Sequence, residues 1–333
     1  MEVGVWSEVK KIKDKELKNL SESLPDVLAK SKADSTSKNY SYGFLKWKRW
    51  AEKFTEVNVL PAEPVYIGLY LISLLTTLNS ASGIDMAVSS LSWMHRVSGL
   101  ADPVRDNFVS EVVSSLKRQL SGAKVKKDVV TVEMLHKLYD WSFPLVCLKR
   151  MRLLCLSVVS FAGFLRFDEI SKIKLKHVVI GEQYMIIFLP SSKTDQFRDG
   201  DKVVIAKTNS DLCPVTLLAS YISLANIKDK DEYIFRAIAP KKDGSYVLRK
   251  LNKPISYTRC REIFLEGFKE AGVSVDNLGL HSLRAGGVTA GANAGLADRL
   301  LMRHGRWKSA MSKDGYIKDD KNSLLSVSKK LGL

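Results

Sequence analysis

The chain has 333 residues, of which 45% are hydrophobic, so it is long enough to bury a sizeable core and to form two domains. It carries 52 Lys and Arg against 36 Asp and Glu, a net charge of +16, which favours a polyanion such as nucleic acid as its partner. A basic protein without such a partner stays the alternative. Four cysteines without a close C-x-x-C pair and five scattered histidines indicate neither a zinc site nor a disulfide framework.

The sequence predicts neither a secretory signal nor a membrane span. The start MEVGVWSEVKK lacks the apolar segment of a signal peptide. The most apolar run, PVYIGLYLISLLTTL, is short for a membrane span and is typical of a buried helix. We therefore expect no membrane partner and an intracellular protein, located in the nucleus of a eukaryote or otherwise in the cytoplasm or nucleoid.

The N-terminal part is predicted to be entirely helical, with a charged helix in residues 6–30 that ends near Pro25 and further helices near 62–78, 83–97 and 103–120. Between them, aromatic and small residues recur at helical spacing and predict one buried stripe: Tyr40, Phe44, Trp47, Ala51 and Phe54. Basic residues occupy the other side of that helix and, with one Arg of a later helix, are predicted to face DNA phosphates: Lys38, Lys46, Arg49, Lys53 and Arg96. A merely solvated basic face is the alternative for each of them.

The segment SGAKVKKDVV has no helical stripe and changes the character of the chain. Its residues 123–130 are predicted to be a basic linker in which Lys124, Lys126 and Lys127 cross the DNA backbone. Thr131 is then a capping residue for the next helix. The predicted domains are a helical DNA-binding domain at 1–122 and a second domain at 131–333 with a C-terminal tail helix.

The second domain is predicted to be mixed. A strongly apolar helix follows residue 145, and YMIIFLP and KVVIAK are strand-like runs joined by the polar connection SSKTDQFRDGD. YIF is a candidate brief strand, and CPVTLLASYISL begins a helix at its proline. HSLRAGG opens a small-residue helix, and NSLLSVSKKLGL is a short amphipathic helix. The fold class is therefore mainly α with a small antiparallel β-sheet.

Five motifs in this order resemble the tyrosine recombinase/integrase catalytic domain: FAGFLRFDEI, SSKTD, HSLR, GRW and GY. One H-x-x-R is weak evidence, whereas the ordered set over about 131–333 is specific, and its spacings suit the family. The GRW motif, together with CPV after the hairpin, most resembles the sequences of DIRS-like and crypton-type recombinases of eukaryotic mobile elements. The resemblance implies a core-binding domain followed by the catalytic domain, together forming a C-shaped clamp on double-stranded DNA.

The resemblance also implies a role for each motif residue. The catalytic set would be Arg166, Lys193, His281, Arg284, Trp307 and the nucleophile Tyr316. Glu169 resembles an acid that orients its neighbours, and Trp307 stands where most members have His and some have Trp. The tail helix would dock on a neighbouring copy through Leu324, Leu325, Val327 and Leu331, which implies self-association, as a tetramer, on DNA.

The chemistry of these residue types agrees with such a site. Two Arg forks can bind the non-bridging oxygens of a phosphodiester bidentately, and a Tyr that attacks phosphorus conserves the bond energy as a phosphotyrosine. A Lys can protonate the departing 5′ oxygen. The sequence shows no acidic cluster at metal-binding spacing, so we expect no metal ion and no small-molecule cofactor.

Several assignments have rivals at this stage. Lys202 and Arg198 could be confused with Lys193, the hairpin lysine. An indole cannot accept a proton, which assigns the part of the base to His281. His304 is a rival for the second-His role that Trp307 would otherwise fill, and a surface His at a helix end or facing phosphate is its alternative. The alternative functions are a recombinase-derived DNA-binding protein that no longer cuts, and a strand transferase of the type IB topoisomerase or telomere-resolvase kind.

Overall fold

The computed structural model describes residues 3–122, 126–143, 147–189 and 201–332. Tertiary contacts divide the chain into two compact units, Met1–Val125 and Lys126–Leu333, each with its own hydrophobic core. The division falls within the predicted linker. Residues 128–130 of that linker pack on the second unit, because the backbone N–H of Asp128 donates to the Asn277 carbonyl at 2.9 Å and the buried Val130 N–H donates to the Ser282 carbonyl at 3.0 Å. The assignment of DNA-binding and catalytic domains stays a prediction.

The first unit is built from helices in the part that the structure describes. They are α1 (Val5–Lys10), α2 (Lys15–Glu22), α3 (Leu24–Ala29), α4 (Asp34–Ala51), α5 (Pro64–Ser73), α6 (Ala81–Val97) and α7 (Asn107–Leu120). The prediction of one helix over 6–30 is wrong. Asp14 caps the start of α2 by accepting from the Leu17 N–H at 3.0 Å, and Pro25 lies in the first turn of α3, so local signals divide the segment into three.

The predicted aromatic stripe forms the inner face of α4. Phe44, Trp47 and Ala51 are buried, and the Trp47 ring meets Tyr70 of α5 edge-on at 5.3 Å between centroids. Phe54 lies beyond the end of α4 and is 44% exposed, so the stripe is one turn shorter than predicted. The basic residues predicted for the other side of α4 are exposed, as is the Arg of α6: Lys38, Lys46, Arg49, Lys53 and Arg96.

The second unit contains helices and two small antiparallel sheets. Its elements are α8 (Val132–Ser142), α9 (Leu148–Ala162), α10 (Phe167–Ser171), β1 (Val178–Ile180), β2 (Tyr184–Leu189), β3 (Asp201–Ala206), α11 (Pro214–Leu224), β4 (Ile238–Pro240), β5 (Tyr246–Leu248), α12 (Tyr257–Glu270), α13 (His281–Asn293), α14 (Asp298–Gly305), α15 (Ala310–Asp314) and α16 (Lys321–Lys329). The mainly α fold with a small antiparallel sheet is confirmed. No helix among the described residues is long and apolar enough to span a membrane.

The strand predictions are partly confirmed. β2 and β3 pair antiparallel with Ile187 opposite Val203, and β1 adds a third strand on the other side of β2. The YIF segment is not a strand, because Tyr233 makes only an isolated bridge with Lys174. The β4–β5 hairpin was not predicted, since its strands are only three residues long.

The apolar helix α9 lies at the centre of the second unit, and α13 packs directly against its end. A methyl group at Gly286 would lie 1.9 Å from the Val130 carbonyl oxygen, and one at Gly287 would lie 2.1 Å from the Phe161 carbonyl oxygen. Only glycine permits this backbone approach. The approach brings the first turn of α13, which carries His281 and Arg284, to the C-terminal end of α9.

We therefore expect Gly286→Ala to destabilise the second unit by about 1–3 kcal/mol, because the added methyl must push backbone atoms apart. Urea unfolding followed by circular dichroism measures the effect. Gly315→Ala is the matched control, since a methyl there would lie at ordinary contact distances of 3.6 and 3.7 Å from its nearest neighbours, the Met311 and Ser312 carbonyl oxygens. Equal midpoints for the two variants would contradict the close packing of α13.

Candidate active site

The C-terminal end of α9 gathers cationic and imidazole side chains. Helix-end carbonyls lack intrahelical partners and carry partial negative charge. The Ala162 carbonyl accepts from His304 Nε2 at 2.8 Å, and the Gly163 carbonyl accepts from Arg306 Nη1 at 3.3 Å. The Phe164 carbonyl accepts from Arg306 Nη2 at 3.0 Å and also from Arg284 Nη1. Phe164 itself adopts a positive φ of 47°, which turns the chain sharply after the helix.

Glu169 is the anionic centre of this cluster. Its Oε1 accepts from Arg166 Nη1 at 2.7 Å, and its Oε2 accepts from the Arg166 backbone N–H at 2.8 Å and from Arg306 Nη2 at 2.9 Å. Arg284 Nη1 lies 3.8 Å from the same Oε2. Burial raises the pKa of this carboxyl, but Arg306, Arg166 and Arg284 lower it, and the net pKa of Glu169 lies below its ordinary value.

Arg284 is fully buried yet lies beside the predicted nucleophile. Its Nη2 donates to the Gly305 carbonyl at 2.6 Å, while Nε has no hydrogen-bond partner among the described residues. Its guanidinium carbon lies 4.2 Å from the centre of the Trp307 ring and 5.3 Å from that of Tyr316. Burial, and the neighbouring Arg166, lower the pKa of Arg284. A guanidinium nevertheless stays protonated at neutral pH.

Trp307 forms the floor under Tyr316. It is buried, its ring centroid lies 5.5 Å from that of Tyr316, and its Nε1 has no hydrogen-bond partner among the described residues. Gly305 is required beneath it, because a methyl there would lie 1.8 Å from the indole. The indole N–H thus has no acceptor in the part of the chain that the structure describes, and the indole ring lies against Arg284.

The backbone on both sides of Tyr316 is anchored. Before it, the buried Lys313 of α15 pairs with Asp298 at 2.5 Å and with Asp314 at 3.1 Å. After it, the Lys318 N–H donates to Thr289 Oγ1 of α13 at 3.1 Å, and Lys318 Nζ pairs with Asp128 at 2.6 Å. These contacts hold the Tyr316 ring over Arg284 and Trp307.

The structure thus brings together most of the residues singled out in the sequence. Arg166, Glu169, Arg284, Trp307 and Tyr316 form one contiguous cluster. His281 is the first residue of α13, exposed, one turn before Arg284 on the same helix. Lys193, together with its rival Arg198 and with Lys124, lies outside the described residues. The rival Lys202 is exposed on β3, and Lys126 and Lys127 are exposed before α8.

His304 is part of the cluster rather than a surface residue. It is partly buried, its ring meets Phe164 edge-on at 4.7 Å, and burial lowers its pKa. Because its Nε2 donates to the Ala162 carbonyl, the proton on that nitrogen is already engaged. This contact favours a supporting part for His304 and leaves His281 as the stronger candidate for the base.

Arg306 was missed in the sequence, where only the Trp of GRW was singled out. It caps α14 with a left-handed backbone, φ 58° and ψ 39°, and its side chain is 2% exposed. Burial lowers its pKa, and the Glu169 carboxylate opposes that effect. An Arg at a helix end is ordinarily a surface residue, so the sequence alone carries no signal for its burial. Within the described residues, no group of three or more His, Cys, Asp or Glu side chains could hold a metal ion.

Comparisons with known proteins identify recombinases and integrases as similar to this chain. The chain is 28% identical to a protein named integrase/recombinase XerD homolog from Selenomonas ruminantium, over 294 residues that cover 87% of this chain and 83% of the relative. No protein-family model matches the chain.

Solved structures share the fold at low sequence identity. XerH recombinase bound to a palindromic difH substrate matches with a TM-score of 0.59, 14% identity, and coverage of 88% of this chain and 78% of that one. The Tn1549 transposon integrase in complex with transposon right-end DNA matches with a TM-score of 0.58, 13% identity, and coverage of 89% and 94%. A lambda integrase dimer on a core site matches with a TM-score of 0.58, 16% identity, and coverage of 90% and 76%.

The chain is therefore similar to tyrosine recombinases and integrases, in sequence to the Selenomonas ruminantium relative and in fold to the solved structures. Its likeness to the DIRS-like and crypton-type members stays a prediction.

We expect Glu169→Gln to lower stability at neutral pH by about 3 kcal/mol, because it removes one partner of buried ion pairs. The folded pKa of Glu169 is depressed, so its contribution is complete above the unfolded value of 4.5 and is lost as pH falls through the folded pKa. The thermal midpoint of the parent should therefore fall more steeply with acidification than that of Glu169→Gln. Glu270→Gln, at an exposed position, should keep the parent slope; parallel profiles for all three would contradict this account.

Proposed function

We propose that this protein is a site-specific DNA recombinase or transposon integrase. It cleaves and rejoins DNA strands through a covalent 3′-phosphotyrosine, without ATP and without a divalent ion in the chemical step. The observation that carries the proposal is the Tyr316 ring, 5.3 Å from the guanidinium carbon of the buried Arg284. The named activity of the Selenomonas ruminantium relative supports it, as do the DNA complexes of XerH, Tn1549 integrase and lambda integrase.

The guanidinium groups supply the charge that the reaction needs. Attack on a phosphodiester adds negative charge to its non-bridging oxygens, and fixed cations in a dry site stabilise that charge without reorganising. Glu169 holds Arg166, and the Phe164 and Gly305 carbonyls hold Arg284. Both guanidinium groups are therefore positioned before DNA binds. The free N–H of Trp307 is a further donor for an oxygen.

Proton transfers complete the reaction. The Tyr316 phenol loses its proton to His281 as its oxygen bonds to phosphorus, and the bond from phosphorus to the 5′ oxygen breaks. Lys193 protonates that leaving oxygen, so a free 5′ hydroxyl and a 3′-phosphotyrosine result. The reverse attack by the 5′ hydroxyl of another strand restores Tyr316 and joins the strands.

Double-stranded DNA is the proposed partner of both units. The exposed cations of α4 and α6 would contact phosphates from the first unit, and Lys126 and Lys127 would do so beside the second. Copies of this chain would assemble on DNA as a tetramer; lambda integrase forms a tetramer on a Holliday junction. Clustering of Arg166, Arg284 and Tyr316 disfavours a silent DNA-binding descendant. The helical first unit favours a recombinase over a type IB topoisomerase.

A Tyr316→Phe variant should form no covalent adduct while retaining DNA binding, because only the attacking oxygen is removed. The probe is a pool of end-labelled, nicked duplexes with a randomised core, incubated with protein and resolved in SDS. The parent should retain label on the protein, and sequencing of the captured duplexes should give a preferred site. An adduct that survives in Tyr316→Phe would refute this nucleophile, and no parental adduct on any duplex would refute strand transfer.

The tail helix α16 should be needed for assembly rather than for chemistry. Its apolar side chains are exposed in the single chain: Leu324 60%, Leu325 41%, Val327 63% and Leu331 66%. Replacing these four with Ser should leave single-copy DNA complexes but remove larger ones, because burial against another copy is lost. Mass photometry on the enriched duplex measures the species, and Lys330→Gln is the control. Tetramers that persist in the four-residue variant would contradict the proposed role of the tail helix in assembly.

A further inference from the structure

Arg306 lies at the end of α14, yet its side chain is buried and held by several hydrogen bonds. It lies just after α14 with a left-handed backbone, a conformation that glycine adopts without steric cost. Its Nη1 donates to the His304 carbonyl at 2.6 Å and to the Gly163 carbonyl at 3.3 Å. Its Nη2 donates to the Phe164 carbonyl at 3.0 Å and to Glu169 Oε2 at 2.9 Å. The fork is therefore fixed by four acceptors.

The Oε2 atom of Glu169 already accepts two hydrogen bonds without Arg284. Arg166 takes Oε1 and, through its backbone N–H, also Oε2, where Arg306 is the second donor. Arg284 Nη1 is 3.8 Å from Oε2, beyond hydrogen-bond distance. The hydrogen bonds of Arg284 go instead to the Phe164 and Gly305 carbonyls, which are uncharged. These carbonyls orient Arg284 but leave its positive charge uncompensated by a hydrogen-bonded anion.

We infer that Arg306 is a positioning residue that occupies the Glu169 carboxylate and so keeps Arg284 available to the scissile phosphate. The inference rests on the proposed strand-transfer function. Without Arg306, the vacated acceptor on Oε2 lies within a short movement of Arg284 Nη1. A carboxylate and a phosphate compete for the same guanidinium fork, so an Arg284 paired with Glu169 would bind phosphate less well.

A purely structural part for Arg306 makes a different prediction. If Arg306 only ties the end of α14 to α9, further loss of contacts at Glu169 should worsen the defect. If Arg306 prevents a competing pair, removing the charge of Glu169 should relieve the defect. The combination of Arg306→Gly and Glu169→Gln separates these cases, and Gly is the residue that the left-handed backbone accepts most readily.

The first measurement is the rate of phosphotyrosine formation on the nicked duplex enriched from the randomised pool. Arg306→Gly should lower this rate about 100-fold with duplex affinity within about twofold, because it displaces a group in the site rather than a DNA contact. Adding Glu169→Gln should restore at least about tenfold. Arg306→Lys, which keeps a charge for Glu169, should fall between. Arg299→Gln, at an exposed position of α14, should react at the parental rate.

The second measurement does not require DNA cleavage. Inorganic phosphate should raise the thermal midpoint of the parent more than that of Arg306→Gly, and the double variant should recover the larger shift. Parental reactivity of Arg306→Gly, a double variant slower than Arg306→Gly, or equal phosphate shifts in both would overturn the inference. A parent that forms no adduct, with the phosphate shifts as expected, would refute the proposed strand transfer while leaving the arrangement at Glu169 intact.

Discussion

One buried carboxylate holds the candidate active site together. Glu169 is 3% exposed and contacts the guanidinium groups of Arg166 and Arg306 directly, with Arg284 just beyond. Burying three guanidinium groups together is unfavourable unless anions and dipoles compensate them. Glu169 compensates one unit of charge, and the carbonyls at the end of α9 contribute partial charges. The cluster therefore keeps a net positive charge, which an anion such as a phosphodiester could neutralise.

The side-chain cluster depends on close backbone approaches at three glycines and on an unusual backbone angle at Phe164. Gly286 and Gly287 allow α13 to touch the end of α9, and Gly305 leaves the space that the Trp307 indole occupies next to Tyr316. The left-handed turn at Phe164 exposes carbonyls that a longer helix would have used internally. The site therefore depends on its glycines and on the backbone angle at Phe164 as well as on its charged residues. The contribution of the glycines is steric.

The sequence predicted the parts of the molecule whose signals are local or ordered along the chain. The capping Thr131, the proline that opens α11 and the β2–β3 pair follow from short-range patterns, and all are observed. The cluster of Arg166, Arg284 and Tyr316 followed from family motifs. Arg306 could not be predicted, because its partner Glu169 lies 137 positions away and its burial depends on a left-handed turn. Residues 6–30 form three helices where the sequence predicted one. Here local capping signals outweighed a charged composition that favours a continuous helix.

The two halves of the site differ in how firmly the fold retains them. The guanidinium groups of Arg284 and Arg306 are buried, whereas the polar contacts of the segment after Tyr316 include one hydrogen bond from the Lys318 N–H to Thr289 and the exposed Lys318–Asp128 pair. Each of these fastenings is worth about 1 kcal/mol or less. Tyr316 and Ile317 also pack against the hydrophobic cluster around Trp307, so apolar contacts as well as these polar ones hold the segment. A local movement of the segment that carries Lys318 would therefore leave the hydrogen bonds among Glu169, Arg166 and Arg306 in place.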